Sequence, residues 1–332
     1  MNDEIMVSVC CLVYNHTKYL RKCLDGFVMQ KTNFKFEVLI HDDASTDGSQ
    51  DIIREYEEKY PDIIKPIYQK ENQYSKHIRI SKTYQYPRAR GKYIAVCEGD
   101  DYWCDEYKLQ KQVDFMENHP ECHLCLHRVQ AINEDGSIAS RQYPNFEMDT
   151  QVFSTEKLMS LLGQHGYVFQ TSSYMRRTED VLEVSNNPPE FVKICDVGDI
   201  VSLMFSGMKG SIYYIDDIMS CYRLGSIGSW NQIMNNDRKK KLKHFQIMVR
   251  VFDSFFDYSN HKYDELLKKQ RNTYYLNACA LSCNNSKNSK VLLKKENRHY
   301  LKKMSKKSIA YIFLCAYIPF FGKIYNKLKG KD

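Results

Sequence analysis

An almost uninterrupted apolar run near the start of the chain, residues 7–14, constrains the fold more than any other feature. A strand that is apolar on both faces has to be covered on both faces, as in a parallel sheet between two layers of helices. Apolar residues at helical spacing follow, then a second apolar run at residues 36–41 and a second helical pattern that ends before Pro61. This order predicts a doubly wound α/β fold.

The alternation of strands and helices continues to about residue 223. Asn133 to Gly136 lies between two apolar runs and predicts a β-hairpin, so we expect a mixed, mostly parallel sheet flanked by helices. Later elements are predicted as a helix at 152–162, an extended segment at 167–176, a helix at 196–208, and strands at 211–215 and 218–222.

Charge divides the chain into two parts. Residues 238–332 contain 23 Lys and Arg against 6 Asp and Glu, whereas the residues before them contain 25 basic and 35 acidic side chains. We therefore predict two parts with different roles, an α/β domain at 1–237 and a basic helical C-terminal region at 238–332. The 43% hydrophobic and 27% charged content is that of a globular protein rather than a disordered or multi-span membrane protein.

The 12 cysteines have no framework spacing and the first residues are polar, which predicts a reduced, cytoplasmic location without a signal peptide. One cluster suggests zinc: Cys122, His123, Cys125 and His127. Side chains of a strand alternate between its faces, so four such close neighbours do not converge on one ion. Buried strand cysteines are the favoured interpretation.

Acidic side chains follow two of the predicted strands. Asp42 and Asp43 come after the second strand, and Glu98, Asp100 and Asp101 come after a strand at 92–97. The carboxyl ends of parallel strands meet at one edge, so both groups should face one crevice, although either early Asp alone could be a loop residue or a helix cap. Carboxylates placed together repel each other, and a divalent cation bound with a diphosphate would relieve that repulsion.

Four stretches together resemble family 2 glycosyltransferases of the GT-A fold. They are VSVCCLVYNHTKYLRKCLDGFVMQ, VLIHDDASTDGSQDII, RARGKYIAVCEGDDYW and DVGDIVSLMFSGMKGSIYYIDDIMSCYR. The resemblance covers roughly residues 7–223, and it implies an inverting enzyme that moves a hexose or related sugar from a UDP-sugar to a saccharide hydroxyl.

The resemblance also assigns donor-binding roles. Those it implies for contacts with the donor are Val13, Tyr14, Asn15, Asp42, Asp43, Arg79, Arg88, Glu98, Asp100, Trp103 and Arg223. Asp101, with Asp100, would hold Mn²⁺ or Mg²⁺, and Glu98 replaces the usual first Asp of the D-x-D element. Many relatives carry a His shortly after the Tyr-Arg that ends the last strand. Here none follows closely, so either Arg223 would contact the diphosphate alone or the metal would be held less tightly. Arg90 lies in the same segment as Arg79 and Arg88, and solvated surface arginines are the alternative for all three.

An Asp is expected to deprotonate the acceptor hydroxyl. The matching position is Asp199, with Asp196 the second choice because three residues separate positions on one helical face. Capping of the helix at 196–208 is the alternative role for either residue.

The C-terminal region contains the most apolar stretch of the chain, residues 308–321, with lysines on both sides. It is too short to span a bilayer and is interrupted by Pro319, so we predict an interfacial segment on an anionic membrane, or else a helix packed on the core. No nucleic-acid motif accompanies the lysines. The resemblance to family 2 glycosyltransferases implies that the acceptor is a lipid-linked saccharide of surface polysaccharide assembly, met at the inner face of the cytoplasmic membrane.

Two other functions stay open. A nucleotidyltransferase shares the metal-dependent diphosphate chemistry, but it should carry a Gly-rich phosphate loop after the first strand, and residues 7–21 contain no glycine. A non-catalytic sugar-nucleotide-binding subunit would retain the acidic residues without turnover.

Overall fold

A computed structural model describes residues 4–226, 234, 236–282, 286–302, 304–318 and 320–328. The described residues form two compact units, one within Met1–Pro189 and Val197–Ile227 and the other within Glu190–Asp196 and Gly228–Asp332. The first unit contains the sheet, and the second is helical. The boundary predicted from sequence follows residue 237, whereas in the structure Glu190–Asp196 already packs with the C-terminal helices.

The strands of the first unit form one mixed sheet. They are β1 (Ile5–Val13), β2 (Lys35–Asp42), β3 (Ile64–Tyr68), β4 (Tyr93–Val96), β5 (Tyr102–Trp103), β6 (Cys122–Ile132), β7 (Ile138–Tyr143), β8 (Gln151–Phe153), β9 (Met175–Arg177) and β10 (Ser211–Arg223). Their order is β3-β2-β1-β4-β9-β6-β10-β5, with β7 beside β6 and β8 beside β10. The longest pairings, β1 with β2 and β6 with β10, are parallel, and the short strands β5, β7, β8 and β9 pair antiparallel.

The helices lie between and after these strands. Those of the first unit are α1 (Thr17–Val28), α2 (Ser49–Lys59), α3 (Lys108–Asn118), α4 (Thr155–His165), α5 (Thr178–Asn186) and α7 (Gly198–Lys209). Those of the second are α6 (Glu190–Ile194), α8 (Arg238–Tyr258), α9 (Asp264–Leu281), α10 (Ser286–Leu293), α11 (Arg298–Leu301), α12 (Lys306–Tyr317) and α13 (Phe321–Leu328). Within the described ranges, every helix is too short or too polar to cross a bilayer.

The core explains the uninterrupted apolar run of β1. On one face, Val9 and its neighbours pack with Leu24 and Phe27 of α1 in a cluster of fully buried side chains. On the other face, Cys10 packs with Val181 of α5. The strand is therefore covered by helices on both sides, and the predicted mixed, doubly wound sheet is confirmed.

Several element boundaries differ from the sequence-based expectations. Residues 152 and 153 belong to β8, and helix α4 starts after Ser154, whose hydroxyl accepts a hydrogen bond from the Lys157 N–H. Helix α7 begins at Gly198, so Asp196 lies outside it. The two strands predicted at 211–222 are one strand with a register shift after Ile215. Helices α5 and α6 were missed because residues 129–193 have little periodicity.

The zinc hypothesis finds no support. Cys122 and Cys125 are buried in β6, where Cys125 packs in the core beneath the sheet. In the part of the chain that the structure describes, no three His, Cys, Asp or Glu side chains are arranged to hold a metal ion by themselves.

A close contact between α1 and β5 supports the loop that carries the second acidic group. A Cβ at Gly26 would lie 2.7 Å from the Trp103 carbonyl oxygen and 3.0 Å from the Trp103 nitrogen. The Trp103 ring is buried between Phe27, whose ring centroid is 4.9 Å away, and the amine of Lys108, which lies 4.1 Å from its centroid. Helix α1 thus approaches the backbone directly after the acidic loop as closely as a glycine permits.

We expect Gly26→Ala to lower the free energy of unfolding by about 1–3 kcal/mol, because two backbone atoms of Trp103 have to move. Urea denaturation measures the change. Gly198→Ala is the matched control, since a Cβ there meets nothing within 4 Å at the start of α7. Its stability should stay within about 0.5 kcal/mol of wild type; equal losses in the two variants would contradict the close-contact argument.

Burial lowers the pKa of Lys108 to about 7. The unfolded chain therefore binds more protons than the folded chain above pH 7, and the stability of the wild type should rise with pH until the unfolded amine titrates near its ordinary value. Lys108→Met removes the buried amine, so it should have a higher free energy of unfolding than the wild type at pH 7. This difference should shrink by up to about 1.4 kcal/mol for each pH unit above 7. Urea denaturation from pH 6 to pH 10 tests this, and a difference that is constant with pH would contradict it.

Candidate active site

The two acidic loops meet at the carboxyl end of β1. The N–H of Asp43 donates to the carbonyl oxygen of Val13 at 2.9 Å, and the N–H of Gly99 donates to the carbonyl oxygen of Leu12, also at 2.9 Å. Consecutive carbonyl groups of one strand therefore hold the first loop on one side and the second loop on the other. The crevice at this edge is where ligands bind in open α/β sheets.

Carboxyl groups of the second loop and of α7 converge at this edge. Burial, together with the charges of Asp100 and Asp199, raises the pKa of Glu98 to about 8. Burial and the charges of Asp100 and Glu98 also raise the pKa of Asp101, whose side chain is 2% exposed, well above its usual value. Burial is the larger cause of both shifts, and the named charges place Glu98 within electrostatic reach of Asp100, Asp101 and Asp199. These four carboxyl groups thus form one cluster.

Arg223 at the end of β10 fastens the second acidic loop. Its backbone N–H donates to Asp101 Oδ1 at 2.8 Å, and its Nε donates to the carbonyl oxygen of Asp100 at 3.0 Å. Its Nη1 donates to two carbonyl oxygens of the β6–β7 turn, at 3.2 and 2.9 Å. The Ser226 hydroxyl donates to Asp100 Oδ2 at 2.6 Å. The Arg223 guanidinium thus joins two loops, a different position from the diphosphate contact that the sequence suggested.

Asp199 lies in the first turn of α7, and burial raises its pKa. The Tyr167 hydroxyl hydrogen-bonds to this carboxyl group, and it also lies 3.3 Å from the Tyr174 hydroxyl. The residue at the N-cap position of α7 is Val197, whose side chain makes no capping hydrogen bond, and Asp199 follows it in the first turn. Sequence reasoning missed Tyr167, since a lone tyrosine in an extended segment gives no pattern.

The Asp196 carboxyl group contacts a histidine of the second unit. Asp196 itself belongs to that unit, and its carboxyl group accepts a hydrogen bond from, or forms an ion pair with, His244 Nδ1 at 3.0 Å. The proposed helical relation to Asp199 fails because α7 starts two residues after Asp196. Its hydrogen bond also differs from the capping role considered above.

In the first acidic loop, Asp42 is fully buried and only partly satisfied. Its Oδ1 accepts hydrogen bonds from the Ser45 N–H at 3.1 Å and from the Gln50 side-chain amide at 2.6 Å. Its Oδ2 has no hydrogen-bond partner among the described residues. A buried carboxylate oxygen without a partner is costly, so Asp42 retains acceptor capacity for a ligand N–H at this edge.

Asp43 is used by the chain itself. Its Oδ1 accepts from the Gln73 N–H at 2.7 Å and its Oδ2 accepts from the Tyr74 N–H at 3.0 Å. Both carboxylate oxygens therefore hold the segment that follows β3. Of the two neighbouring acids, Asp42 is the better placed to accept from a ligand.

The β1–α1 loop contains the other expected donor contacts. Val13 is buried, whereas Tyr14 is 48% exposed beside the edge. Asn15 has a left-handed backbone, with φ of 56°, and its Oδ1 accepts from the Thr46 N–H at 2.9 Å, which joins this loop to the first acidic loop. Trp103 does not face the crevice: it is buried, and its Nε1 donates to the Ser172 carbonyl oxygen at 3.2 Å.

The arginines differ in position. Arg79 is exposed, and Arg88 is partly buried, with Nη2 donating to the Lys65 carbonyl oxygen at 3.2 Å and Nη1 buried without a partner among the described residues. Arg90 instead forms an ion pair with the buried Glu37, at the opposite half of β2 from Asp42. The ion pair accounts for Arg90 without any ligand.

The donor set suits a divalent cation that is completed by a ligand. Among the described residues, Asp101 and Asp100 each accept a hydrogen bond at one carboxylate oxygen, which leaves the other oxygen of each group for a ligand. Hard oxygen donors are those that Mg²⁺ and Mn²⁺ prefer. Since no three side chains in the described ranges could hold an ion unaided, oxygens of a diphosphate would have to supply further ligands.

An open cavity of about 640 Å³ lies next to this cluster, between α1 and the β6–β7 turn. Its lining residues are Lys18, Tyr19, Lys22, Asn133, Glu134, Asp135, Gly136 and Arg223. Both charge signs and an aromatic ring line it, and the Arg223 guanidinium lies 4.3 Å from the Tyr19 ring centroid. A polar ligand of several rings would fit such a space.

Comparisons with known proteins agree with this geometry. An uncharacterized protein of Mycobacterium tuberculosis is 35% identical over 234 residues, which cover 70% of this chain and 63% of that protein. The UDP-Glc:alpha-D-GlcNAc-diphosphoundecaprenol beta-1,3-glucosyltransferase WfaP of Escherichia coli is 31% identical over 112 residues, 34% of this chain and 41% of that one. The chain thus spans less than two thirds of the length of these relatives.

Solved structures show the same fold. The S. aureus TarS 1-349 structure in complex with UDP-GlcNAc superposes with a TM-score of 0.54 at 17% identity, over 98% of this chain and 93% of that one. This likeness confirms the predicted GT-A type of α/β fold. The family model for glycosyl transferase family 2 matches residues 8–181, from the start of β1 to the middle of α5. Because the match takes in more than half of the 332 residues, and both acidic loops, the chain belongs to glycosyl transferase family 2.

Proposed function

We propose that this chain is an inverting glycosyltransferase that moves a sugar from a UDP-sugar to a hydroxyl group of a saccharide acceptor. The observation that carries the proposal is the cluster of Glu98, Asp100, Asp101 and Asp199 at the carboxyl edge of the sheet. Acids held together in a crevice with raised pKa values are typical of a functional site rather than of a solvated surface.

Donor binding would use the first loop. Asp42 Oδ2, which lacks a partner among the described residues, would accept the N–H of the uracil base, and the exposed Tyr14 would lie against the ring. Asp43 would act indirectly, because both its oxygens hold the backbone of residues 73 and 74. Of Arg79 and Arg88, we favour Arg88 for donor binding, because its Nη1 is buried without a partner in the described ranges.

Asp101 and Asp100 would hold Mn²⁺ or Mg²⁺ through their remaining oxygens, with Glu98 behind them. The bound cation would neutralise the charge that develops on the departing diphosphate. Arg223 keeps both acids in place through the backbone contacts described above. Without a ligand, the same acids repel each other, so binding of a cation and diphosphate relieves a cost already present in the fold.

Asp199 would be the general base. Its carboxylate would take the proton of the acceptor hydroxyl while that oxygen bonds to the anomeric carbon and the bond from this carbon to the UDP oxygen breaks. A raised pKa makes a carboxylate a stronger base near neutral pH, and burial supplies that shift here. The hydrogen bond from Tyr167 would orient the carboxyl group. Attack from the face opposite the leaving group inverts the anomeric centre.

For the acceptor we propose a lipid-linked saccharide of surface polysaccharide assembly, reached at the inner face of the cytoplasmic membrane. The name of the E. coli relative includes a diphosphoundecaprenol-linked sugar as the acceptor, which supports a lipid-linked acceptor for this chain too. The cavity between α1 and the β6–β7 turn adjoins the acidic cluster through Arg223 and has room for a saccharide. Nucleic acid plays no part in this proposal.

A panel of nucleotide sugars should identify the donor. We expect one or a few UDP-sugars to release UDP in the presence of Mn²⁺ or Mg²⁺, slowly without acceptor and faster with it, and we expect EDTA to abolish the release. Coupled detection of UDP measures the rate. A chain that binds UDP with metal but releases it from none of the sugars would be a binding subunit, and production of diphosphate from a nucleoside triphosphate would indicate a nucleotidyltransferase.

Asp199→Asn should lower kcat by roughly 10²–10⁴-fold, because Asn keeps the shape of the side chain but cannot accept the proton. The KM for the donor should change little. Asp196→Asn is the matched control, since that residue pairs with His244 in the second unit, and it should keep near-wild-type turnover. Near-wild-type turnover of Asp199→Asn, or a large loss in Asp196→Asn alone, would overturn the assignment of the base.

A further inference from the structure

Exposed apolar side chains of the second unit are concentrated near its C-terminal end. Six of the 14 large apolar side chains that are exposed among the described residues belong to α12, α13 and the turn between them. We call these six the apolar edge: Phe313, Tyr317, Ile318, Phe320, Ile324 and Tyr325. A concentration of this kind marks a surface that is covered by something else in use.

Helix α12 has two apolar faces with different surroundings. Ile312 is buried in a cluster with Leu276 of α9 and Leu292 of α10. Phe313 and Tyr317, one turn apart, point away from that cluster, and their ring centroids are 4.8 Å apart. The two interpretations of residues 308–321, a packed core helix and an interfacial helix, therefore describe opposite faces of one helix. Since the inner face already packs on α9 and α10, the outer face does not contribute to that packing.

The turn between α12 and α13 contains Phe320, the most exposed apolar side chain of the edge. Phe320 is 72% exposed and has a left-handed backbone, with φ of 61°. This backbone conformation is unfavourable for a bulky side chain, and the ring is in solvent, so burial of the ring does not offset the cost. Helix α13 then packs back on α12, with the ring centroids of Tyr311 and Tyr325 5.1 Å apart. The edge is thus fixed by contacts within the helical pair.

The sequence that contains the apolar edge is rich in positive charge. Between Glu296 and Asp332 the chain has nine Lys and Arg and no Asp or Glu. Lys302, Lys306 and Lys307 are exposed at or before the start of α12. Lys306 lies on the same face of α12 as Phe313 and Tyr317. It precedes Phe313 by seven residues, about two turns of helix, and Phe313 precedes Tyr317 by four, about one turn.

We propose that the apolar edge inserts into the interfacial layer of an anionic phospholipid bilayer, with the lysines at the start of α12 against the headgroups. Aromatic and aliphatic side chains beside a lysine-rich face are what an interfacial helix presents to such a surface. The charge selects lipid over a second copy of this chain, because two such basic edges would repel each other. Membrane binding itself does not depend on the proposed function. Only its purpose does, which is to bring the enzyme to the surface where a lipid-linked acceptor is met.

The test measures binding of the full chain to vesicles that contain neither donor nor acceptor. We expect the protein to co-sediment with vesicles of phosphatidylcholine mixed with phosphatidylglycerol, and to bind pure phosphatidylcholine much more weakly. Phe313→Ser with Phe320→Ser should reduce the partition coefficient by roughly tenfold or more, since both side chains would leave the acyl boundary. Lys306→Gln with Lys307→Gln should reduce binding to the anionic vesicles by about fivefold per lysine, and added salt should do the same.

The matched control is Ile138→Ser with Val152→Ser, which removes two exposed apolar side chains of the first unit. It should bind vesicles as the wild type does. Urea denaturation checks that all variants fold, which is expected because the changed side chains are exposed. Failure of the wild type to bind anionic vesicles, or unchanged binding of the Phe313 and Phe320 variant, would overturn the proposal. Concentration-dependent dimerisation that this variant loses, without vesicle binding, would assign the edge to a second copy instead.

Vesicle binding and UDP release are separate measurements, so the two proposals fail separately. Loss of membrane binding with intact UDP release overturns the role of the apolar edge alone. Membrane binding without UDP release would support the proposed role of the apolar edge and overturn the proposed glycosyl transfer.

Discussion

Repulsion among carboxyl groups at one buried edge is the constraint on which the arrangement of the first unit depends. Glu98, Asp101 and Asp199 all have pKa values above the ordinary range because they are removed from water, and the first two also because other acids surround them. Such a cluster stores free energy that a positively charged ligand recovers. The fold tolerates the cost because the sheet and its helices supply stability elsewhere, which is the usual relation between a functional site and its scaffold.

Main-chain contacts, more than side-chain pairs, keep those acids in position. Consecutive carbonyl groups at the end of β1 accept from Asp43 and Gly99, and the backbone of Arg223 reaches Asp101 from the far end of β10. These bonds follow from strand register, so they need no particular residue type at several of the positions. The acids are therefore oriented before any ligand arrives, which lowers the reorganisation that binding or reaction would require.

The edge was predictable from sequence, because apolar runs locate strands and the acids that follow them must share the carboxyl end of a parallel sheet. Tyr167 and Ser226 were not, since both reach the site through long-range packing in segments without periodicity. The contacts of Arg223 with carbonyl oxygens were not predicted, because a guanidinium suits carbonyl oxygens as well as phosphate. Trp103 was expected to contact the donor, but α1 packs closely against it at Gly26 and its side chain is buried in the core.

The chain enters the second unit at residues 190–196, returns to the first, and enters the second again after residue 227. Phe191 of this early segment packs on Phe255 and Tyr258 of α8, with ring centroids 5.2 and 5.1 Å apart. During synthesis, Phe191 leaves the ribosome more than sixty residues before those aromatic partners. At translation rates of about 5–20 residues per second, it waits several seconds with its ring uncovered. In that interval the nascent chain exposes an apolar ring that the folded protein buries completely.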